Sequence, residues 1–392
     1  MPSKLLQTPA KLSIVPAMFM ALTACGTNRT VVCNPPLSSS SSSATCGCAC
    51  PVHLGPQVLY ATTSVGQILA FSINENNSGA LTSIGSVPGP SASLGLASVS
   101  GQFLYASDSH NSEIDGYSIN QTTGALTALP ASPFSTGTLS SPGVLAAPPQ
   151  ELGESPQNSL LYAADSGTID MFTISTAGVP TALSGPPNVL ESGFAIVVDP
   201  SGGFLYAADD DPPGGIFAFT TGSTGALTAV PNSPFTIPGQ TVANSLPIGI
   251  VDNGTYVYTA LSQTNQIAAF SIVSGTGALT PVPGSPFPAG TAPTALIVAG
   301  NFLYAINSSD ATLSGYSINP ANGALTALSG SPFAIAGVSL ATDYFGEYLW
   351  IAGSTGIQAF DIDSSGALTA VSGSPFLATG ATLLTIVQLP PG

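Results

Sequence analysis

Residues 204–235 read FLYAADDDPPGGIFAFTTGSTGALTAVPNSPF, and this stretch contains three short strand patterns separated by turns. Residues 205–207 and 216–219 are rich in aromatic and aliphatic side chains, and residues 227–230 are rich in aliphatic ones. Such runs are typical of buried strands. The segments between them contain mostly Gly, Ser, Thr, Asp and Pro, which favour turns, and a Ser-Pro pair ends the last strand. The stretch therefore predicts three consecutive antiparallel strands.

The same unit recurs along the chain at intervals of about 47 residues, which indicates a repeat protein. A tyrosine or tryptophan marks one strand of every unit: Tyr60, Tyr105, Tyr162, Tyr206, Tyr258, Tyr304 and Trp350. An aromatic residue marks the next strand: Phe71, Tyr117, Phe172, Phe219, Phe270, Tyr316 and Phe360. A Gly-Ala-Leu-Thr turn follows in six units, and Gly178-Val179-Pro180-Thr181 is its diverged seventh copy. Each of the three markers occurs seven times, which predicts seven repeats.

Each full unit begins with an apolar run, such as residues 194–198, that suits a strand buried on both faces. Four short antiparallel strands repeated seven times are typical of a propeller, so we predict an all-β fold, a seven-bladed β-propeller with four-stranded blades. The first unit lacks the apolar run, whereas the chain ends with a spare one at residues 382–387. We expect this C-terminal strand to pair with residues 58–61 and close the ring, because closure removes exposed strand edges.

The charge distribution excludes some functions. The only cations are Lys4, Lys11 and Arg29, so residues 30–392 contain no Lys or Arg, whereas all 19 carboxylates follow residue 74. Nucleic acid is excluded as a partner because phosphate binding depends on Lys and Arg. Without carboxylate–cation pairs to lose, the repeats are expected to tolerate acid well, and we predict a working medium that is acidic or rich in divalent cations.

Residues 1–24 are predicted to be a signal peptide. Lys4 and Lys11 are followed by an apolar run, 12–24, that is too short to cross a bilayer. Leu22-Thr23-Ala24-Cys25 resembles the lipobox of bacterial lipoproteins, and this resemblance implies a lipid on Cys25. Ordinary secretion with an incidental Cys25 is the alternative. We predict an exported protein, lipid-anchored to the bacterial cell envelope on its periplasmic or cell-surface side, with the anchor as its only membrane contact.

Residues 25–56 are predicted to form a flexible tether, and residues 57–392 the propeller. Six consecutive serines, 38–43, cannot bury apolar surface. Four further cysteines lie in this segment: Cys33, Cys46, Cys48 and Cys50. In an exported protein they most simply form two local disulfides. A metal site shared with His53 is a second interpretation, which the one-residue gaps suit poorly. A crosslink to a neighbour or to the envelope is a third.

The loops carry the candidate site residues. In a propeller the second-to-third loops share one face with the blade-to-blade connections, and this face would collect Asp108, His110, Glu113, Asp165, Asp209, Asp210, Asp211 and Asp310. A carboxylate beside a histidine can activate water, so His110, Asp108 and Glu113 are predicted to be catalytic, with a solvated loop as the alternative. The run 209–211 is a predicted calcium site because Ca²⁺ takes six to eight oxygen ligands, with a solvated acidic turn as the alternative.

The order of inner strand, Asp-Pro-Ser-Gly turn, Phe-Leu-Tyr-Ala strand, aromatic strand and Gly-Ala-Leu-Thr turn resembles the lactonase-type seven-bladed propellers. These include 6-phosphogluconolactonase-like proteins and, more distantly, YVTN-repeat surface-layer propellers. The resemblance covers about residues 57–388 and implies the propeller fold, but no catalytic motif of the family can be matched position by position. A phosphorylated lactone is not expected as substrate, because a propeller without Lys or Arg would repel its phosphate.

Two functions are compatible with these features. The first is an envelope-anchored module for binding, interaction or surface scaffolding, with a protein, a glycan or its own neighbours as partner. The alternative is a lactonase-like hydrolase of a neutral lactone or ester that uses the face of His110, with calcium as its candidate cofactor. The sequence leaves open whether the protein is an enzyme, because fold alone does not determine function.

Overall fold

The computed structural model shows the repeats as a closed ring of seven sheets. It describes residues 22–23, 30–31, 55–74, 78–135, 145–146, 159–165, 168–183, 188–189, 193–209, 215–240 and 247–391. The chain divides into two compact units, 1–53 and 54–392. In the first unit the described residues form one antiparallel pair, Leu22–Thr23 with Thr30–Val31. The predictions for Cys25, Cys33, Cys46, Cys48, Cys50 and His53 lie outside the described residues.

Each blade has an inner strand at the axis and a second strand beside it. The inner strands of blades 1 to 7 are Ala381–Gln388, Leu96–Val99, Leu145–Ala146, Gly193–Val198, Pro247–Asp252, Pro293–Ala299 and Ser339–Thr342. The second strands are Gln57–Thr63, Phe103–Asp108, Leu160–Asp165, Phe204–Asp209, Tyr256–Leu261, Phe302–Asn307 and Tyr348–Gly353. Every inner strand contacts the inner strands of the two neighbouring blades, so the seven together surround a central channel.

A third and an outer strand complete each blade. The third strands are Gln67–Ile73, Glu113–Ile119, Thr168–Ile174, Gly215–Thr221, Gln266–Ile272, Thr312–Ile318 and Gly356–Ile362. The outer strands are Leu81–Pro88, Leu126–Ala128, Pro180–Ala182, Leu227–Ala229, Leu279–Pro281, Leu325–Ala327 and Leu368–Ala370. All pairings within the blades are antiparallel. The predicted all-β propeller of four-stranded blades is confirmed.

The C-terminal strand closes the ring as predicted. Ala381–Gln388 pairs with Gln57–Thr63, and Thr385 lies opposite Tyr60. Blade 1 is therefore built from both ends of the propeller, with strand order inner, second, third and outer as in the other blades. Because the missing inner strand comes from the far end of the chain, the ring leaves neither end as an open blade edge.

Seven apolar clusters join the blades, and each cluster contains residues from two neighbouring blades. Between blades 4 and 5, for example, Tyr206 and Ile216 pack in one cluster with Val257 and Phe270. Because every blade contributes to two such clusters, the burial that stabilises a blade is shared with both of its neighbours.

A ring of hydrogen bonds joins the same blades and explains two of the sequence markers. The marker side chain of each blade donates to the carbonyl oxygen of a glycine in the third-to-outer turn of the next blade. The six tyrosine pairs, at 2.7–3.3 Å, are Tyr60 with Gly124, Tyr105 with Gly178, Tyr162 with Gly225, Tyr206 with Gly277, Tyr258 with Gly323 and Tyr304 with Gly366. Trp350 completes the ring, since its Nε1–H donates to Gly79 of blade 1 at 3.0 Å.

The Ser-Pro-Phe repeat is a scaffold element, as its recurrence indicates. In five blades the serine Oγ accepts a hydrogen bond at 2.9 Å from a backbone N–H of the third strand, as Ser233 does from Ala218. The phenylalanine that follows pairs with the same strand, as Phe235 does with Ile216. Phe235 packs against the cluster between blades 4 and 5, so this repeated residue lies between neighbouring blades.

Two blades depart from the pattern. Blade 3 has an inner strand of only two residues, Leu145–Ala146, and the segment 147–158 that follows it lies outside the described residues. Blade 1 has no Ser-Pro-Phe segment. There Val87 pairs with Ile68, at the position where Phe134 pairs with Ile114 in blade 2. The smaller side chain leaves a groove of about 160 Å³, lined by Ile68, Ala70, Ile84, Gly85, Ser86, Val87, Ala125 and Leu126.

Among the described residues there is no helix with the length and apolar character that a membrane span requires.

Candidate functional site

One face of the ring is built from the second-to-third loops and the blade-to-blade connections. Backbone hydrogen bonds join the two sets: the Ser64 N–H donates to Gly380 O at 2.9 Å, Ser109 to Ala92 at 3.2 Å and Ser308 to Ala292 at 2.9 Å. The predicted sharing of this face is therefore confirmed, and we call it the loop face. The turns that join inner to second strands lie on the opposite face, as Asp199–Phe204 and Asp343–Tyr348 do.

His110 lies on the loop face, in the loop of blade 2, and its side chain is exposed. The neighbouring Asp108 carboxylate accepts hydrogen bonds within this loop: Oδ1 from the backbone N–H groups of His110 and Asn111, and Oδ2 from the Asn111 side chain at 2.8 Å. Glu113 lies opposite Asp108 in the hairpin register. The structure thus places the three predicted residues in one loop, but Asp108 caps the turn, a role that Asp often has.

Glu113 and Asp108 affect a third carboxylate. Asp115 follows Glu113 by two residues on the same strand, and it is half-buried. Burial and, to a smaller extent, the charges of Asp108 and Glu113 together raise the pKa of Asp115 to about 6. The hairpin that carries the only histidine of the propeller therefore also contains a carboxyl group that titrates under mildly acidic conditions.

The predicted calcium site is only partly within the described residues. Asp209 ends the second strand of blade 4 and is fully buried, whereas Asp210 and Asp211 lie outside the described residues. Asp310, on the same face, accepts hydrogen bonds from the Thr291 N–H at 2.8 Å and from the Thr312 hydroxyl at 2.7 Å. In the part of the chain that the structure describes, no three His, Cys, Asp or Glu side chains come together as a metal site. The calcium site stays a prediction.

The start of the inner strands forms a second feature of the loop face. In blades 1, 4, 5 and 6 one extra residue interrupts the pairing of inner and second strands. A bulge of this kind redirects the side chain of the extra residue. The equivalent position in each blade is found by counting back three residues from the inner-strand residue that pairs with the marker tyrosine or tryptophan. In blade 1, for example, Thr385 pairs with Tyr60, so the position is Thr382. Its occupants with described side chains are Thr382, Leu94, Ile248, Thr294 and Val338, which we call the collar.

The collar is uncharged and partly open to solvent. Leu94 and Val338 are each 55 % exposed, and the other three members are half-buried. Because the inner strands surround the channel, residues at their starts lie around its mouth on the loop face. Space is narrow there, since a side chain at Gly249 would overlap the Thr294 carbonyl of the next blade. The mouth of the channel is therefore bordered by apolar and hydroxyl groups, with no charge among the collar residues.

A different group stands out at the opposite end of the inner strands. Asp252 ends the inner strand of blade 5, where the corresponding residues of other blades are Ile386, Ser98, Val198, Val298 and Thr342. Its Oδ1 accepts a hydrogen bond from the Gly254 N–H, and its Oδ2 is buried without a hydrogen-bond partner. The pKa of Asp252 is raised to about 7, mainly by burial; the hydrogen bond from the Gly254 N–H opposes this rise, and the nearby Asp199 charge contributes to it.

Comparisons with known proteins support the class of fold. A family model described as lactonase, seven-bladed β-propeller, matches residues 233–340. A candidate 6-phosphogluconolactonase from Bacteroides fragilis superposes with a TM-score of 0.69 at 19% identity, over 86% of this chain and 100% of that one. A second candidate 6-phosphogluconolactonase, from Bacteroides uniformis, gives 0.67 at 20% identity, over 85% and 99%. No curated protein sequence matches the chain.

The periplasmic gluconolactonase PpgL of Pseudomonas aeruginosa is also similar, with a TM-score of 0.63 at 17% identity over 86% of this chain and 100% of that one. The fold is thus that of the lactonase-type seven-bladed propellers, and the resemblance expected from the repeats is confirmed. At such identities the likeness establishes the fold, and activity has to be argued from the site.

Proposed function

We propose that the protein is a lactonase-type propeller that takes an uncharged lactone or related ester at its loop face and hydrolyses it. The observation that carries this proposal is the charge distribution around a fold shared with lactonases. Residues 30–392 contain no Lys or Arg, and the collar at the channel mouth is uncharged. A phosphorylated lactone has no cation to bind there, and 19 carboxylates repel its phosphate.

A neutral substrate also agrees with one of the similar structures, the periplasmic gluconolactonase of Pseudomonas aeruginosa. That name suggests a lactone without phosphate and an exported setting, and we extend both to this chain as part of the proposal. Export and a lipid anchor at Cys25 remain predictions from the lipobox-like segment. The base that activates water is proposed to be His110, because it is the only imidazole of the propeller and is exposed on the loop face.

A second function is favoured by the hydrogen bonds of Asp108. Its two carboxylate oxygens bind the backbone of His110 and Asn111 and the side chain of Asn111, so the group is used to hold the loop. A His110 imidazole without that partner suits a binding surface better than a hydrolase. The second candidate is therefore an envelope-anchored binding or scaffold module whose partner is a protein or a glycan.

Hydrolysis of a panel of neutral lactones by the purified propeller separates the two functions. The assay compares the wild-type protein with His110→Ala, each with calcium and after chelation. The hydrolase proposal expects turnover that falls at least about a hundredfold in His110→Ala, the lower range for general acid–base catalysis. Loss of turnover on chelation would support calcium at 209–211. Turnover that survives both His110→Ala and chelation would reject His110 as the base and calcium as a cofactor. Absence of turnover on every lactone tested would refute the hydrolase proposal and favour the binding module.

A further inference from the structure

We propose that the collar is the recognition site for an apolar substituent of the ligand, so that the preferred lactone or ester carries an alkyl or acyl chain. This inference rests on the proposed function for the lactone part, and it adds a substrate class. It starts from Leu94 and Val338, two large apolar side chains that are each 55 % exposed at equivalent positions of blades 2 and 7.

The apolar surface continues across blade 1, which lies between these two blades. Val65 in the second-to-third loop of blade 1 is 72 % exposed, and Leu377 in the connection from blade 7 is 83 % exposed. Backbone hydrogen bonds hold this surface together, since the Ser64 N–H donates to Gly380 O and the Gly89 N–H donates to Gly66 O at 3.0 Å. The loop and the two connections that flank it are therefore one continuous structure.

This sector contains no charged residue. The segments 64–66, 89–95, 328–339 and 371–380 lack Asp, Glu, Lys, Arg and His, whereas on the same face the loop of blade 2 contains Asp108 and Glu113 and the loop of blade 6 contains Asp310. The loop face thus has an apolar sector at blades 7 and 1, with acidic loops in blades 2 and 6 on either side of it. Exposed apolar surface that is set apart in this way commonly marks a binding site. The absence of charge favours an uncharged apolar group as the occupant, and the acidic loops beside the sector disfavour an anionic one.

The hydroxyl members of the collar supply the polar contacts that a lactone or ester needs. Thr382 lies in blade 1 beside the apolar sector, and its Oγ1 is 2.9 Å from the Oγ1 of Thr62. Thr294 occupies the collar position of blade 6, next to Val338 in blade 7. Leu94 and Val338 would contact the chain, while a threonine hydroxyl donates to the carbonyl oxygen of the ester. Neither contact requires a cation.

The test measures the affinity of the intact protein for a series of uncharged lactones that differ only in alkyl chain length, by titration calorimetry under conditions without turnover. We expect each added methylene to tighten binding roughly two- to fourfold while the collar still covers it. The variant Leu94→Asn/Val338→Thr keeps side-chain volume nearly constant and should flatten this dependence. Val179→Thr/Val273→Thr is the matched control, because these residues are 38 % and 44 % exposed in third-to-outer turns on the opposite face.

Affinity that does not depend on chain length, or a dependence that persists in Leu94→Asn/Val338→Thr, would overturn the inference. The inference would also be overturned if sedimentation showed the wild-type protein to be a dimer and Leu94→Asn/Val338→Thr to be a monomer. The collar would then be a contact between copies of the chain. If the double substitution disturbs folding, Val338→Thr alone is tested, and it is expected to halve the dependence of affinity on chain length. Chain-length-dependent binding without hydrolysis would refute the proposed activity and support the collar as the recognition site. Hydrolysis without a dependence on chain length would support the activity and refute the role of the collar.

Discussion

Replacing Asp252 with asparagine is expected to remove the pH dependence that this residue gives to stability. The folded state raises the pKa of Asp252 from 3.8 to about 7, mainly because burial leaves Oδ2 without a partner. A carboxyl group whose pKa is higher in the folded state binds more protons there than in the unfolded chain. Stability from this group is therefore fully present below about pH 4 and is lost as the pH rises through 7. A shift of this size corresponds to about 4 kcal/mol as an upper limit.

Water that reaches the charged form reduces this penalty, so we expect a stability loss of about 2 kcal/mol between pH 4.5 and pH 8 from Asp252. Asp252→Asn should match the wild-type protein at pH 4.5 and exceed it by that amount at pH 8. Denaturant unfolding followed by the fluorescence of Trp350, the only tryptophan and a buried one, provides the measurement. Asp310→Asn is the control with the opposite sign, since hydrogen bonds from Thr291 and Thr312 lower the pKa of Asp310. Equal pH profiles for Asp252→Asn and the wild-type protein would refute the reasoning.

Three further predictions concern the ring. Deleting residues 382–392 removes the inner strand of blade 1, so the thermal midpoint of the whole propeller should fall, and an unchanged midpoint would contradict closure by this strand. Gly323→Ala should lower the free energy of unfolding by more than about 2 kcal/mol in chemical unfolding, because φ is +74° and a Cβ would overlap the Tyr256 ring. Gly275→Ala is the control: its φ is +76° but a Cβ would lie in open space, so the loss should be only about 1 kcal/mol. Val87→Phe should fill the groove of blade 1 and raise stability by about 1 kcal/mol in the same assay, and destabilisation would show that the groove cannot take the ring.

The sequence predicted most of the fold because its markers are the residues that join the blades. Each marker tyrosine contacts a marker glycine of the next blade, so the two periodic signals report one repeated hydrogen bond. The inner strand of blade 3 escaped prediction, since Leu145–Ala146 is too short to give a pattern. The capping role of Asp108 could have been found, because Asp followed by Ser, His and Asn is a common turn sequence.

The collar could not be predicted from the sequence. Its members, such as Leu94 and Thr294, share no residue type, and only the register of inner and second strands shows that they are equivalent. Asp252 did leave a signal, since a charged residue ends an inner strand where the other blades with a described partner have uncharged residues. Its consequence depends on burial of one carboxylate oxygen, which requires the packing of blades 4 and 5.

The most direct test of the proposed function compares a neutral lactone with its phosphorylated counterpart on the purified propeller. Binding and hydrolysis are measured for both at low ionic strength, where charge effects are largest. A propeller without Lys or Arg is predicted to bind and hydrolyse the neutral lactone and to bind the phosphorylated one at least about a hundredfold more weakly, because no cation offsets the repulsion by its carboxylates. Equal or preferential use of the phosphorylated lactone would contradict the account.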